Sequence, residues 1–228
     1  MPTLLSAAEI EELKKFSSPS ISNGIETFSI RPRNLGFMSH EIKCMFPDMP
    51  PMVGYAFTAR MRAEFEAKNA PPVSAYRRAV LAAPGPKILV LQDEDQTPIG
   101  SFWGEVNANI HLALGCVGTI TDGGVRDLNE VRALNFHFFA RTVLVSHAYV
   151  HLRGWGEPVQ VGAMTVRPGD LLHADQHGVV LIPHEIAHDV ARATAEVERK
   201  ERIVIAACQA PDFSIEALDA AYQQMRAY

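Results

Sequence analysis

With 228 residues, the chain has the length of one ordinary α/β domain. Its 47% hydrophobic and 21% charged residues argue against disorder, and a net charge of −5 argues against direct binding to nucleic acid. Three widely separated cysteines (Cys44, Cys116 and Cys208) exclude a disulfide framework and a zinc cluster, and they fit a reducing cytoplasm. The opening residues contain no long apolar run, so neither a signal peptide nor a membrane span is predicted.

The first part of the chain is predicted to be helical and then irregular. Ser6 has the pattern of a helix cap, with Glu9 three residues later, and a second short helix follows, so the N-terminal helices span residues 6–27. Residues 31–53 are rich in proline and predict an extended connection. Alternation then favours a strand over 57–63, and Pro71-Pro72 opens a helix over 73–83.

The middle of the chain alternates short apolar strands with helices. The predicted elements are a strand at 87–92, a helix at 102–114, a strand at 117–121, a turn at Asp122-Gly123-Gly124, a helix at 127–134 and a strand at 136–140. This order is typical of right-handed parallel βαβ units.

The periodicity changes after residue 141. Strands are predicted over 143–150, 159–161, 164–166, 171–174 and 179–182, followed by helices over 184–207 and 214–226. We therefore expect one mixed α/β domain over 1–228, with a core at 54–183, a central parallel βαβ region, a β-rich second layer and C-terminal helices at 184–227.

Polar residues cluster after two of the predicted parallel strands. Glu105 follows strand 87–92, and Arg126-Asp127 follows strand 117–121. Loops at the carboxyl ends of parallel strands meet at one edge of the sheet, where ligands bind. Arg126 offers a planar fork for a carboxylate, and Asp127 offers a hard oxygen for Mg²⁺ or Mn²⁺. The start of the helix at Gly104, Glu105, Val106 and Asn107 presents N–H groups to an anion.

Each of these residues also has a purely structural interpretation. Asp127 could cap the helix that it precedes, with Arg126 an exposed arginine, and Glu105 could be a first-turn glutamate that is favoured by the helix dipole. Asp122 could position its turn or bond to Arg126.

The spacing of Glu105, Arg126-Asp127 and Glu130 resembles the signature of the RraA-like family. Weaker matches occur at Ser20 to Asn23, Gly54 to Thr58, and Gly169 to Val180, so the resemblance covers about residues 15–205. It implies a swivelling β/β/α fold that assembles as a homotrimer or hexamer. The family includes class II pyruvate aldolases that act on 4-hydroxy-4-methyl-2-oxoglutarate or 4-carboxy-4-hydroxy-2-oxoadipate. It also includes the regulator of ribonuclease E activity, a protein-binding module.

The resemblance predicts a divalent-metal-dependent carbon–carbon lyase that releases pyruvate from a 2-oxo acid through a metal-stabilised enolate. Decarboxylation of oxaloacetate follows the same chemistry. Asp127 would bind the metal directly with support from Glu105, while Arg126 and the 104–107 backbone would bind the substrate. A glutamate from a neighbouring subunit would approach the metal, with Glu196, Glu198 and Glu201 as candidates. The alternative is a ribonuclease E regulator without catalysis; regulators have glycine where the aldolases carry an acid at the Glu105 position.

Overall fold

The computed structural model describes residues 3–227 and is built around one mixed β-sheet. The strands are β1 (Lys43–Cys44), β2 (Met52–Arg62), β3 (Lys87–Asp93), β4 (Ser101–Trp103), β5 (Cys116–Val125), β6 (His137–Val143), β7 (His151–Trp155), β8 (Val159–Val161), β9 (Met164–Val166), β10 (Leu171–Asp175) and β11 (Gly178–Ile182). The helices are α1 (Ala7–Leu13), α2 (Ser18–Glu26), α3 (Val73–Ala82), α4 (Glu105–Ala113), α5 (Leu128–Ala133), α6 (Val190–Gln209) and α7 (Ile215–Ala227), with a 3-10 turn at His184–Ile186.

The centre of the sheet is parallel, as the βαβ pattern predicts. β2, β3, β5 and β6 are neighbours in the order β6-β5-β3-β2, and each adjacent pair is parallel. Both faces of these strands are covered, because one face packs on the helices and the other on a small hairpin. The α/β class is therefore confirmed.

The later strands are distributed differently from the predicted second layer. β10 and β11 extend the main sheet beyond β2, and β7 pairs with the far end of β2. Among the strands of residues 3–227, only β8 and β9 form a separate two-stranded sheet, whose valines pack across the core. The strand predicted at 143–150 is wrong: β6 ends at Val143, and the next strand begins at His151. Val143, Val145 and Tyr149 are at least half exposed, so hydrophobicity misleads in this segment.

A missed short strand sets the start of α4. The sequence predicts a helix from about residue 102, but Ser101–Trp103 pairs in parallel with the end of β5. Trp103 is fully buried, with its ring centroid 4.7 Å from that of His111 and 5.7 Å from that of Phe136. This aromatic packing holds the chain in place immediately before the helix. The helix therefore begins at Glu105.

The N-terminal helices dock on the far end of the same sheet. The Ser18 N–H donates to Asp175 Oδ2 (2.9 Å), and Ser18 Oγ lies 2.9 Å from Nδ1 of the buried His173. Burial lowers the pKa of His173 to about 4, so the ring is neutral at pH 7. Gly24 of α2 faces Thr194 of α6, where any side chain would overlap the threonine.

None of the helices within residues 3–227 is long and apolar enough to cross a membrane.

Candidate functional site

The structure brings Glu105 and Asp127 together across two loops of the sheet. The Glu105 backbone N–H donates to Asp127 Oδ2 at 2.9 Å, although the two residues are 22 positions apart. The contact forms because β4 and β5 are parallel neighbours, with Trp103 opposite Val125. The loop that follows each strand therefore opens at the same edge.

Asp127 occupies a strained backbone conformation. Its φ of 57° and ψ of 45° are left-handed, a region in which aspartate and asparagine are enriched among residues with a side chain. It stands at the N-cap of α5, but its side chain makes no capping bond to that helix. Instead, its carboxylate caps the first N–H of α4. The left-handed turn thus aims the carboxylate towards α4, and the interpretation of Asp127 as a cap for its own helix is wrong.

Gly104 leaves the space that the Asp127 carboxylate fills. A Cβ at position 104 would overlap Asp127 Oδ2 and would lie 3.2 Å from both Cγ and Nε of Arg126. The Gly104 backbone is extended, with φ at −159°, so the requirement for glycine comes from this close approach and not from its backbone angles.

Arg126 is fixed by its backbone and leaves most of its side-chain donors open. Its N–H donates to the Trp103 carbonyl at 3.0 Å, which continues the pairing between β4 and β5. Its Nε lies 3.8 Å from Asp127 Oδ2, and its Nη1 donates to the Val145 carbonyl at 3.4 Å. A half-exposed guanidinium beside a carboxylate can still present its fork to a ligand.

In the first turn of α4, backbone N–H groups rather than side chains are the groups available to a ligand. The Glu105 N–H is used by Asp127, whereas those of Val106 and Asn107 find no acceptor among residues 3–227. The Asn107 side chain donates to the Phe102 carbonyl at 2.6 Å, so it holds the helix start. The Val106 side chain is 73% exposed. An anion at this end of the helix would meet two free N–H groups and a favourable dipole.

The donor set of Asp127 and Glu105 suits a hard divalent cation. Asp127 Oδ2 is engaged by a backbone N–H, while its Oδ1 and the Glu105 carboxylate make no hydrogen bond within the described residues. No group of three or more histidine, cysteine, aspartate or glutamate side chains is placed to bind a metal within residues 3–227. A metal here would therefore have at most two carboxylate ligands from residues 3–227. That fits Mg²⁺, which commonly retains several waters beside one or two carboxylates.

Asp122 lies outside this site. The sequence places it in a turn, but Asp122, Gly123 and Gly124 belong to β5, which runs to Val125. Asp122 Oδ1 accepts from the Asp93 N–H at 2.7 Å, so its role is structural and it does not bond to Arg126. Burial raises the pKa of both Asp93 and Asp122 to about 6.

Asp93→Asn is expected to stabilise the protein by about 1–3 kcal/mol at pH 7, since each pKa unit corresponds to about 1.4 kcal/mol. Asp93 is 7% exposed, and its Oδ2 has no partner within the described chain. Because its folded pKa is raised, the folded state binds the extra proton. The stability of wild type with a neutral Asp93 carboxyl is fully present below about pH 4 and is lost as the pH rises through about 6, so the advantage of asparagine grows over the same range.

Urea unfolding of wild type and Asp93→Asn at several pH values measures the effect. The difference in unfolding free energy should be small near pH 4 and largest above pH 6. Asp219→Asn, at an exposed position, serves as the control. A constant difference across this range would show that the Asp93 carboxyl is not responsible.

The three candidate glutamates of α6 do not join the site within this chain. Glu201 Oε1 accepts from Asn23 Nδ2 at 3.3 Å, and Glu196 pairs with Arg199 one turn away. Neither these two nor Glu198 contacts Arg126 or Asp127 among the described residues.

Sequence reasoning missed two features of the site. One is β4, because the triplet Ser-Phe-Trp has no polar–apolar alternation, although Ser101 and Trp103 are both buried. The other is the Val145 carbonyl, which reaches Arg126 from the loop after β6. No residue type marks a backbone carbonyl as a partner, so the sequence held no signal for it.

The sequence of this chain is similar to a known protein family and to individual proteins. A family model described as RraA-like, Aldolase/RraA, matches residues 19–181. Over 128 residues the chain is 29% identical to a protein of Halalkalibacterium halodurans that is named, provisionally, a 4-hydroxy-4-methyl-2-oxoglutarate aldolase. The match covers 54% of this chain and 60% of that protein. The chain spans between 23% and 60% of the lengths of the curated relatives that it matches.

Solved structures share the fold. A protein of Pseudomonas syringae pv. tomato superposes with a TM-score of 0.74 at 24% identity, covering 98% of this chain and 97% of that one. RraAS2 of Streptomyces coelicolor, described as an unusual member of the RNase ES inhibitor RraA family, superposes with a TM-score of 0.68 at 21% identity. That match covers 87% of this chain and 97% of RraAS2. At these identities the likeness establishes the fold.

Proposed function

This chain belongs to the RraA-like (Aldolase/RraA) family, and we propose that it is a divalent-metal-dependent lyase that cleaves a carbon–carbon bond in a 2-oxo acid and releases pyruvate. The observation that carries the proposal is the contact between the Glu105 N–H and Asp127 Oδ2 at 2.9 Å, with the Arg126 guanidinium beside it. Related proteins include one provisionally named an aldolase and one described as an unusual member of a ribonuclease-inhibitor family, and an assay of turnover separates the two roles.

Asp127 and Glu105 would hold Mg²⁺ or Mn²⁺ in this proposal. When bound, the ion supplies positive charge next to the 2-oxo oxygen, where negative charge develops as the carbon–carbon bond breaks. The two oxygens of the Asp127 carboxylate have separate roles. Oδ2 accepts from the Glu105 N–H at the start of α4, and Oδ1 makes no hydrogen bond within the described residues, so it is available to the metal. The exposed Glu105 carboxylate makes no bond within the described residues, which leaves it available to a water or to the substrate hydroxyl.

The substrate carboxylate would bind between Arg126 and the first turn of α4. The Arg126 fork provides two parallel donors, and the Val106 and Asn107 N–H groups provide donors from the helix start. These groups hold one end of the oxo acid so that its carbonyl faces Asp127. Orientation of this kind contributes to rate by positioning the reacting atoms.

A panel of 2-oxo acids, assayed for pyruvate release with and without Mg²⁺ or Mn²⁺, tests the proposal. We expect turnover of at least one 4-hydroxy-2-oxo acid, and slower decarboxylation of oxaloacetate. Exhaustive EDTA treatment should remove the activity, and added Mg²⁺ should restore it, since the donors are hard oxygens. Activity that persists after chelation would exclude the metal-dependent mechanism.

Arg126→Lys is expected to raise the KM for the oxo acid about tenfold or more, because a charged hydrogen bond of about 1.5–3 kcal/mol depends on the two-pronged geometry. Lysine retains the charge, so the melting temperature should change little at this half-exposed position. Steady-state kinetics on the best substrate measures the effect. Arg192→Lys on the exposed face of α6 is the matched control. An unchanged KM would remove Arg126 from the substrate site.

A protein-binding role is the second candidate, and a surface feature favours it. Val106 and Val145 flank the site and are 73% and 94% exposed, which suits contact with another protein. Glu105→Gly separates the two roles, because it removes an acid from the proposed metal site while glycine is tolerated near a helix start. Loss of turnover supports the lyase. Absence of turnover on every oxo acid, together with a stable ribonuclease complex, supports the binding module.

We also propose that the protein assembles as a homo-oligomer, most simply a trimer. Within residues 3–227 the proposed metal site has at most two carboxylate ligands, so a glutamate from the α6 helix of a second copy could complete it.

A further inference from the structure

Three arginines converge on one glutamate on a part of the sheet that the proposed reaction does not use. Arg60 Nη1 lies 3.3 Å from Glu94 Oε1, while Arg62 Nε and Arg153 Nε lie 3.6 and 3.5 Å from Glu94 Oε2. We call Arg60, Arg62 and Arg153 the arginine cluster. Their side chains are partly exposed, whereas that of Glu94 is mostly buried, so the guanidinium groups lie between the glutamate and solvent.

The sheet itself builds this cluster. Arg60 and Arg62 alternate along β2 with Met61, which is buried in the core on the helix side, so the two arginines project from the opposite face. β7 pairs antiparallel with the same stretch, with Gly154 opposite Arg60 and His151 opposite Arg62. β3 runs parallel on the other side and delivers Glu94 immediately after its last residue. The cluster is therefore on the face of the sheet away from α4 and α5.

The charges in the cluster do not balance. Three cations surround one carboxylate, which leaves an excess of two positive charges. Within the described residues, the neighbouring Asp95 forms no ion pair with these arginines, and its Oδ2 accepts instead from the N–H groups of Ala63 and Glu64 at 2.6 and 3.1 Å. Like charges held this close repel each other, and a bound anion would relieve that repulsion.

The hydrogen-bonding capacity of the cluster is also unused. Each guanidinium carries five N–H donors. Within residues 3–227, the arginine cluster makes one hydrogen bond, from Arg60 Nη1 to Glu94. Arg60 Nε is buried without a partner in that same part of the chain. A buried donor without a partner is costly, so the cluster lacks an acceptor.

We propose that the arginine cluster binds a compact oxyanion with two negative charges, with a phosphate group as the matching chemistry. Guanidinium forks bind phosphate oxygens in pairs, and two or three of them can surround one tetrahedral group. The phosphate could come from inorganic phosphate or from a small phosphomonoester. The Glu94 carboxylate already lies beside the three guanidinium groups, so it competes with the anion and weakens its binding.

Isothermal titration of the full-length protein with inorganic phosphate tests the proposal, at constant ionic strength set with chloride so that general screening is matched. We expect saturable binding. The double variant Arg62→Gln/Arg153→Gln should weaken it at least about tenfold, because it removes two charged donors. Arg192→Gln is the matched control: Arg192 is exposed, pairs with Asp189 on α6, and should leave binding unchanged.

Two more variants sharpen the result. Glu94→Gln should tighten phosphate binding about threefold or more, because the competing carboxylate is gone. If this variant does not fold, the double variant decides alone. Arg126→Gln should leave phosphate binding unchanged, which separates this site from the proposed oxo-acid site.

Phenyl phosphate distinguishes the two sources. Tighter binding than that of inorganic phosphate assigns the site to phosphomonoesters, and equal or weaker binding assigns it to the free anion. Absence of saturable binding at millimolar concentrations of both probes would overturn the proposal. Binding that is unaffected in Arg62→Gln/Arg153→Gln would overturn it equally.

Discussion

Asp127→Asn is expected to lower turnover of the 2-oxo acid at least about 100-fold while leaving the fold intact. A 100-fold loss of rate corresponds to the loss of about 2.7 kcal/mol of transition-state stabilisation. Asparagine is nearly isosteric with aspartate and tolerates the left-handed backbone that residue 127 adopts. Its amide oxygen can still accept from the Glu105 N–H. The substitution therefore removes the negative charge that would bind the metal and little else.

Two measurements check this prediction. Pyruvate release gives the loss of turnover, and titration with Mn²⁺ followed by paramagnetic resonance gives the loss of metal binding. Asp122→Asn, in the strand that precedes Asp127, is the matched control, because Asp122 bonds to the Asp93 backbone and lies outside the site. Normal turnover in Asp127→Asn would show that the carboxylate does not act in the reaction.

Gly104→Ala is expected to lower turnover about 100-fold through one added methyl group. That methyl would overlap Asp127 Oδ2 and would press on Arg126 at 3.2 Å, so both side chains must move. Misplacement of a catalytic group by about 1 Å can cost about 100-fold in rate. The loss should appear in kcat as well as KM, since the Asp127 carboxylate and the Arg126 guanidinium are displaced together.

The fold should tolerate this substitution. The backbone of residue 104 is extended, and alanine at an N-cap costs about 1 kcal/mol or less relative to glycine, which corresponds to a fall of about 2–4 °C in melting temperature. Gly154→Ala is the control, because its Cβ would lie 3.4 Å from Arg60, an ordinary contact. If Gly104→Ala retains full activity, the position of the Asp127 carboxylate is not critical.

The parallel centre of the fold could be predicted because local pattern and tertiary position agree there. The apolar run Lys87–Asp93 is buried on both faces, and residues 117–121 continue the same layer. The proximity of Glu105 to Asp127 also followed, since the ends of parallel neighbours open on one edge. The sequence could therefore identify the edge of the sheet at which Glu105 and Asp127 meet.

The geometry at that place was not predictable from residue types. Asp-Gly-Gly is a strong turn signal, yet Gly123 and Gly124 lie within β5, where Leu144 fills the space beside Gly124. From the sequence, Asp127 could be either a cap for the helix that follows it or a ligand for a metal ion. The structure shows a third arrangement, in which the carboxylate caps the helix of the other loop. Such partners are set by tertiary packing, which a window of local sequence does not contain.

The docking of α1 and α2 also determines when the protein can finish folding. Ser18 bonds to Asp175, 157 residues later, and α2 packs against α6, which begins at Val190. During synthesis these helices would be exposed until their partners had been made, a delay on the order of 10–30 s at about 5–20 residues per second. Their apolar faces are then accessible to chaperones or to other nascent chains. Because α1 and α2 are translated before these partners, they are among the last elements to reach their native contacts during synthesis.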